Sequence, residues 1–284
     1  METLIEFSNY SFSYKGAKVK AVEDVSFKIS RGEYVSIIGP TGAGKTTLCR
    51  SVVGLIPSIY TGKITGEINV LGKPITSYHG SELSATIGYV HQDAESQILM
   101  TNVEKEIAFP LENLGIPREE IKKRIDDALH LVHLEDYRTR HPFYLSGGQR
   151  QRVVLATALA MNPDILILDE ATSEIDPLGA EEIMVVTKEL NDIGKTIIMI
   201  EHNMEEVSRF TNRTIVLDKG HVLANDTTEA VLTNLDLMDN LNIYPPEVTQ
   251  LFMQLRRRGV AIDEIPMTVD GAIEKLRALL KKTN

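Results

Sequence analysis

Three stretches of this chain carry residue types that could handle a phosphate. The first is Gly39-Pro40-Thr41-Gly42-Ala43-Gly44-Lys45-Thr46, which follows an apolar run, Glu33–Ile38, and opens a segment, Lys45–Leu55, that reads as a helix. Glycines let a backbone wrap an anion so that its N–H groups point inward. A helix N-terminus then adds its dipole at the same place. In such a loop the Lys45 ammonium reaches the β and γ oxygens of a nucleoside triphosphate and the Thr46 hydroxyl ligates Mg²⁺; Thr47 adjoins them. The pattern arises by chance in roughly one chain in a hundred of this length. The loop alone therefore still competes with a glycine turn that happens to hold a lysine.

The second stretch, Leu145-Ser146-Gly147-Gly148-Gln149, opens a helix expected to run to about Met161. A serine and two glycines at a helix start form another anion site by the same physics. The third is Asp169-Glu170, closing the apolar run Ile165–Leu168. A carboxylate at that strand end can reach Mg²⁺ through water, and the glutamate beside it can polarise an attacking water. Taken alone, an Asp-Glu pair is a solvated strand end.

The surrounding pattern says which elements must position these groups. Residues 3–38 read as strands, and Glu33–Ile38 is apolar enough to be buried on both faces. Residues 56–90 read as short strands with Gly and Pro punctuation, an antiparallel subdomain. From about 101 the pattern turns helical, with Ile121, Ile125, Leu129 and Val132 on one face and Pro117 near a helix start. Strands return at Ile165–Leu168, Thr196–Ile200 and Thr214–Leu217 with helices between, which means a parallel sheet. After Pro245-Pro246, residues Val248, Leu251, Phe252 and Leu255 make a helical stripe ending at Arg256-Arg257-Arg258 and Gly259, and a second helix is expected over 270–281.

Composition removes several classes. No apolar run approaches the ~20 residues of a membrane span, and Met-Glu-Thr-Leu-Ile-Glu is no secretory signal. Cys49, the single cysteine, cannot form an internal disulfide and reads as a small buried apolar residue. A formal net charge of −10 argues against a general nucleic-acid binder.

The glycine-lysine loop, the Leu145–Gln149 signature and Ile165–Glu170 together resemble the ATP-binding cassette (ABC) ATPases over roughly residues 3–235. The resemblance implies an α/β P-loop cassette with a mainly parallel core sheet, an antiparallel β subdomain, a helical subdomain at about 101–160 and a small C-terminal helical extension at 236–284. It implies ATP and Mg²⁺ as ligands. It also implies two cassettes packed head to tail, each ATP held by the loop of one (Gly39 through Thr47) and by Ser146, Gly147, Gly148 and Gln149 of the other. By motif order, Gln92 resembles the glutamine that touches Mg²⁺ and the attacking water. His202 resembles the switch histidine that contacts the γ-phosphate and, with Glu170, Gln92 and Lys45, makes the catalytic set; Asp169 with Thr46 and Gln92 resembles the metal-holding group. Ser173-Glu174-Ile175-Asp176 is similar to the loop that links the two sites in trans through Asp176. Tyr14 matches the aromatic that stacks on adenine, with Phe12 the competing choice.

A narrower resemblance runs from Ile87 through Gly115, with Gln92, Gln97, Val103, Ala108-Phe109 and Glu112–Gly115, and continues in the tail from Pro245 to Gly259. Both look like the energy-coupling-factor and cobalt/nickel importer ATPases. That implies a peripheral subunit on the cytoplasmic face of the membrane. Its partners would be a second ATPase (a homodimer or a paralogous heterodimer), a transmembrane coupling protein and, indirectly, a substrate-binding membrane protein for a vitamin or a transition-metal ion. The tail would help hold the dimer. His91 and Asp93–Ser96 depart from the asparagine-proline version of that motif. An ATPase of another ABC transporter family is the alternative. A soluble ABC ATPase acting on nucleic acid or ribosomes fits less well, since the chain has one cassette and no sustained heptads.

Overall fold

The structure, a computed structural model, describes residues 2–283. Its strands in chain order are β1 (Thr3–Tyr14), β2 (Val22–Ser30), β3 (Tyr34–Ile38), β4 (Gly62–Val70), β5 (Lys73–Pro74), β6 (Ile87–His91), β7 (Ile165–Asp169), β8 (Thr196–Ile200), β9 (Arg213–Asp218) and β10 (His221–Thr227). The helices that bear on the site are α1 (Lys45–Val52), α2 (Val103–Asn113), α3 (Arg118–Leu131), α4 (Gly147–Ala160), α5 (Pro177–Asp192), α6 (Met204–Phe210), α7 (Glu247–Arg257) and α8 (Val269–Thr283). The apolar runs form a sheet of order β10-β9-β3-β8-β7-β6, parallel except for β10 at its edge. Parallel pairing sends the C-terminal ends of β3, β6, β7 and β8 to one edge, so the loops after them meet there.

Alternation along each strand fills two layers. Leu166, Leu168, Ile197, Met199 and Val216 face the helices α2 to α6. Ile165, Ile167, Ile198, Ile200, Ile215 and Leu217 face α1 and the second sheet. Period-two side chains on a strand buried on both faces read as an unbroken apolar run, which is how these strands appear in sequence.

The second sheet has the order β2-β1-β4-β5 and its pairs are antiparallel. This corrects the expectation for residues 56–90. The antiparallel sheet is built chiefly from residues 3–30 with 62–74, and β6 leaves it to pair parallel with β7. Burial decides the matter. Ile87 and Val90 are buried, and Gly88 lies so close to Leu166, Pro163 and Ala158 that even a Cβ there would touch them at 3.1–3.4 Å. The edge strand β10 was not foreseen, because its residues are mostly exposed and carry little apolar signal.

Beyond the sheet, α7 and α8 gather a cluster of Phe252, Met253, Ile262, Ile265 and Ala272. The expected stripe is turned: Thr249, Phe252 and Met253 are buried, whereas Leu251 is half exposed. Two bonds tie this segment to α6. The Glu247 N–H donates to Glu205 Oε1 at 3.0 Å, and the Ser208 hydroxyl donates to the Met267 carbonyl at 3.1 Å. Among the described residues no helix is long and apolar enough to cross a membrane.

Phe252 is fully buried in a cluster this small, and truncating a buried Phe costs about 3–5 kcal/mol. Phe252→Ala is therefore expected to open residues 245–283 to limited proteolysis while amides of β3, β7 and β8 keep their hydrogen-exchange protection.

Candidate functional site

The site grows from the turn between β3 and α1. Gly39 and Gly44 have φ of 151° and 109°. A Cβ on Gly39 would lie 2.1 Å from the Leu217 carbonyl oxygen, and one on Gly44 would lie 2.6 Å from that of Ala21. Only glycine fits at these two positions, so the chain curls tightly and leaves a cradle of backbone at the start of α1. Lys45 reaches back across the loop and donates from Nζ to the carbonyls of Gly39 (2.8 Å) and Pro40 (3.2 Å). It is 5% exposed, and no carboxylate among the described residues pairs with it directly. Burial lowers its pKa, against the pull of Glu170 and Asp169. A buried ammonium at the start of a helix suits an anion, and a triphosphate fits that chemistry.

Asp169, at the end of β7, is the matching negative group and is also buried. Its Oδ1 accepts from the Thr46 hydroxyl at 3.3 Å and its Oδ2 from the Tyr89 hydroxyl at 2.7 Å. Burial raises its pKa. The Tyr89 bond, His91 and Thr46 oppose that, while Glu170 adds to it. A threonine hydroxyl and a carboxylate are hard oxygen donors of the kind Mg²⁺ takes. Gln92 is not in this pair's hydrogen-bond set, because its amide donates to Glu174 Oε1 at 3.1 Å.

Glu170 has a φ of 56°, unusual for a residue with a side chain. Its N–H is held by the Ile200 carbonyl at 3.0 Å on the neighbouring strand, so pairing with β8 keeps the strained residue in place. Its Oε1 meets His202 Nε2 at 2.9 Å. The ends of β3, β7 and β8 thus deliver Lys45, Asp169, Glu170 and His202 to one edge.

The signature lies elsewhere. Ser146 caps α4: its Oγ accepts from the Gln149 N–H at 3.3 Å, while Gln149 Oε1 accepts from the Ser146 N–H at 3.0 Å. Gly148 packs beside Asp176 and Gly179, whose atoms lie 3.5 and 3.7 Å from where its Cβ would be. Asp176 caps α5, accepting from the Leu178 and Gly179 N–H groups at 3.2 and 3.1 Å. Ser146 is exposed and follows two exposed aromatics, Phe143 and Tyr144.

On the other side of the cradle, Tyr14 is partly buried, its hydroxyl 3.2 Å from Thr47 Oγ1. Tyr60 stands edge-on to it at 6.3 Å, with the Arg50 guanidinium 4.3 Å over the Tyr60 ring. Phe12, the competing choice, is fully buried, whereas Tyr14 keeps part of its surface exposed. Cys49 is buried, and burial raises its thiol pKa well above the usual range, so it is no nucleophile.

With this geometry in hand, the family model described as ABC transporter matches residues 22–173. The chain belongs to the ABC transporter family of ATP-binding proteins. The cassette is 37% identical over 270 residues to an energy-coupling factor transporter ATP-binding protein, EcfA2, of Clostridium tetani, covering 93% of each chain. Among solved structures, cbiO1 of Clostridium perfringens, described as part of the ABC transporter complex cbiONQ, superposes with a TM-score of 0.74 at 29% identity. It covers 89% of this cassette and 99% of that chain. The dimeric cassette MJ0796, in a post-hydrolysis state bound to ADP and Pi, gives 0.69 at 31% identity over 79% of this cassette and 99% of that one. The protein is an ABC ATPase, most like the energy-coupling-factor type.

Two groups of the cassette's site escaped the sequence reading. Tyr89 looked like one apolar residue of a strand, yet its hydroxyl holds Asp169. Gln151 Nε2 donates to the His91 carbonyl at 2.8 Å, and Gln97 both accepts from the His91 N–H (2.7 Å) and donates to the Tyr89 carbonyl (3.2 Å). Arg150 adds an ion pair to Glu95 at 2.9 Å. The available signal was a run of polar residues, Gln149 to Arg152, continuing into a helix whose later part is apolar.

Tyr89→Phe removes one of the two hydroxyl donors to a buried carboxylate. We expect a loss of about 1–3 kcal/mol of stability at pH 7. Asp169 already has a raised pKa, and losing the donor raises it further. The penalty belongs to the ionised form, so it should shrink below about pH 4, where the carboxyl is protonated. Chemical denaturation at the two pH values measures the difference.

Proposed function

We propose that this ATPase powers import across a membrane as the peripheral, cytoplasmic-face subunit of an energy-coupling-factor type transporter for a vitamin or a transition-metal ion. The observation that carries the reading is the split in the site. Lys45, Asp169, Glu170 and His202 converge on one edge, while the Ser146 cap stands exposed against the segment around Asp176. One chain thus presents two half-sites, and a second cassette, identical or paralogous, completes each. The exposed Phe143, Tyr144 and Leu178 beside the signature support a partner there.

In this reading the residues divide the work. The backbone of Gly39 to Thr47 and the Lys45 ammonium bind the β and γ phosphates, and the Tyr14 ring takes the adenine. Ser146, Gly147, Gly148 and Gln149 bind the same nucleotide from the partner's side, with Asp176 linking the two sites. Thr46 and Asp169, joined by Gln92 once it leaves Glu174, would hold Mg²⁺, which neutralises phosphate charge. Glu170 accepts the proton of the attacking water, and His202 orients Glu170 through their bond. ATP draws the cassettes together and hydrolysis releases them. A transmembrane coupling protein docked near Gln92 would feel that motion, and a separate membrane protein would bind the cargo. The likeness to EcfA2 and cbiO1 supports this choice over other transporter types. The segment 236–284 is assigned to the dimer contact.

Glu170→Gln keeps the shape and removes the base, so turnover should fall about a thousandfold while ATP binding and ATP-driven dimerisation persist. Steady-state hydrolysis and size-exclusion with ATP test it, and unchanged turnover would sink the assignment. For the extension, truncation at about residue 240 is expected to weaken dimerisation, read by sedimentation; an unaltered association constant would remove that role.

A further inference from the structure

Thr172 stands two residues after Glu170, and its hydroxyl touches two carboxylates at once. Oγ1 contacts Glu201 Oε1 in a short bond and Glu206 Oε2 at 3.1 Å. Thr172 and Glu201 are buried, and Glu206 at the start of α6 is partly so. A hydroxyl has one hydrogen and can donate to one acceptor. The second contact is a bond only if that carboxyl brings its own proton. Glu201 is already an acceptor on its other oxygen, taking the His202 N–H at 3.0 Å. Either carboxyl can bring that proton by geometry, since each accepts on its other oxygen, and the one whose charged form burial and its neighbour disfavour is Glu206: its O–H donates to Thr172, which donates to the Glu201 carboxylate. The other oxygen of Glu206 accepts from Asn203 Nδ2 at 3.1 Å, which a neutral carboxyl still allows.

Among the described residues no cation forms an ion pair with Glu206. Arg209, on the same helix, is engaged by Glu181 in two bonds of 2.8 and 2.7 Å. Glu205 and Glu181 add negative charge, and the buried Tyr34 from β3 feels both Glu201 and Glu206. Burial first, then the Glu201 charge, pushes the Glu206 pKa up to about 7.

We propose that Glu206, Thr172 and Glu201 form a proton-dependent brace that sets the Glu170–His202 pair, making Glu206 a positioning residue for hydrolysis. The brace grips both backbone segments that carry the pair. Thr172 lies in the turn where Ser173 N–H and Oγ return to the Glu170 carbonyl at 3.2 and 2.8 Å, and Glu201 holds the His202 N–H. When Glu206 loses its proton, Thr172 cannot satisfy both carboxylates, a half-buried charge faces a buried one, and the grip opens. The inference rests on the reading that Glu170 and His202 carry hydrolysis.

The test uses the full chain, with steady-state ATP hydrolysis from pH 6 to 8. The protonated fraction of a group with pKa about 7 falls about tenfold over that range, so kcat should fall by a similar factor while KM for ATP holds. Glu206→Gln keeps a neutral donor and should hold kcat at its pH 6 level throughout, whereas Glu206→Ala should be slow at every pH. A Glu206→Gln variant that keeps the wild-type alkaline fall, or a pH dependence carried by KM, overturns the proposal. A second readout is independent of the roles of Glu170 and His202. The folded state keeps a proton that the unfolded chain releases near 4.5. That stabilisation is complete below 4.5 and is lost as pH rises through about 7. Wild-type Tm should therefore drop relative to Glu206→Gln between pH 5 and 8. A constant difference in Tm overturns the brace itself, while a Tm response without a kcat response overturns its positioning role. Wild-type turnover in Glu170→Gln, with the Tm response intact, would instead fault the underlying catalytic reading.

Discussion

Two opposite charges buried at the end of one parallel sheet set the terms for everything around them. Lys45 and Asp169 are each almost fully removed from water. Burial works against the charged form of both groups. Each must therefore be given oriented partners: carbonyls of the tight loop for Lys45, and the Thr46 and Tyr89 hydroxyls for Asp169. Those partners come from β3, α1 and β6, so the sheet order and the direction of its strands follow as requirements. An antiparallel arrangement of the same strands would send half of these groups to the opposite edge.

The same constraint explains the strained backbone. Glu170 follows Asp169 directly, where β7 ends and the chain turns out of the sheet. The left-handed conformation of Glu170 makes that turn, and the β8 carbonyl of Ile200 anchors it. The carboxylate that faces His202 is then positioned by sheet pairing, which is more rigid than a free loop.

Much of this is legible in the sequence. The strands buried on both faces announce themselves as apolar runs, and the glycines of the phosphate loop stand where a Cβ would collide with Leu217 and Ala21. Motif order brought out His202 and Gln92. What stayed hidden was contact made by residues of ordinary appearance. Tyr89 reads as strand filler, and Gln151 as the polar side of a helix. Neither signals that it holds Asp169 or the His91 carbonyl, because these partners lie 80 and 60 positions away. The sheet membership of residues 87–91 was missed for a related reason. Short apolar stretches carry the same pattern in either sheet, and only packing against Leu166, Pro163 and Ala158 separates the two. In the tail, the stripe was found but its rotation was not, since Thr249 makes its buried bond to the Pro266 carbonyl at 2.9 Å rather than counting as apolar.

The bonds from Gln151 to His91, from Gln97 to Tyr89 and His91 in the last residues of β6, and from Arg150 to Glu95 have a mechanical corollary. They weld the first turns of α4 to the strand end that carries Gln92. Two segments separated by more than fifty residues of sequence then respond to a push as one lever. A force applied at Gln92 arrives at Ser146 with little slack, which is the stiffness a transmission shaft needs.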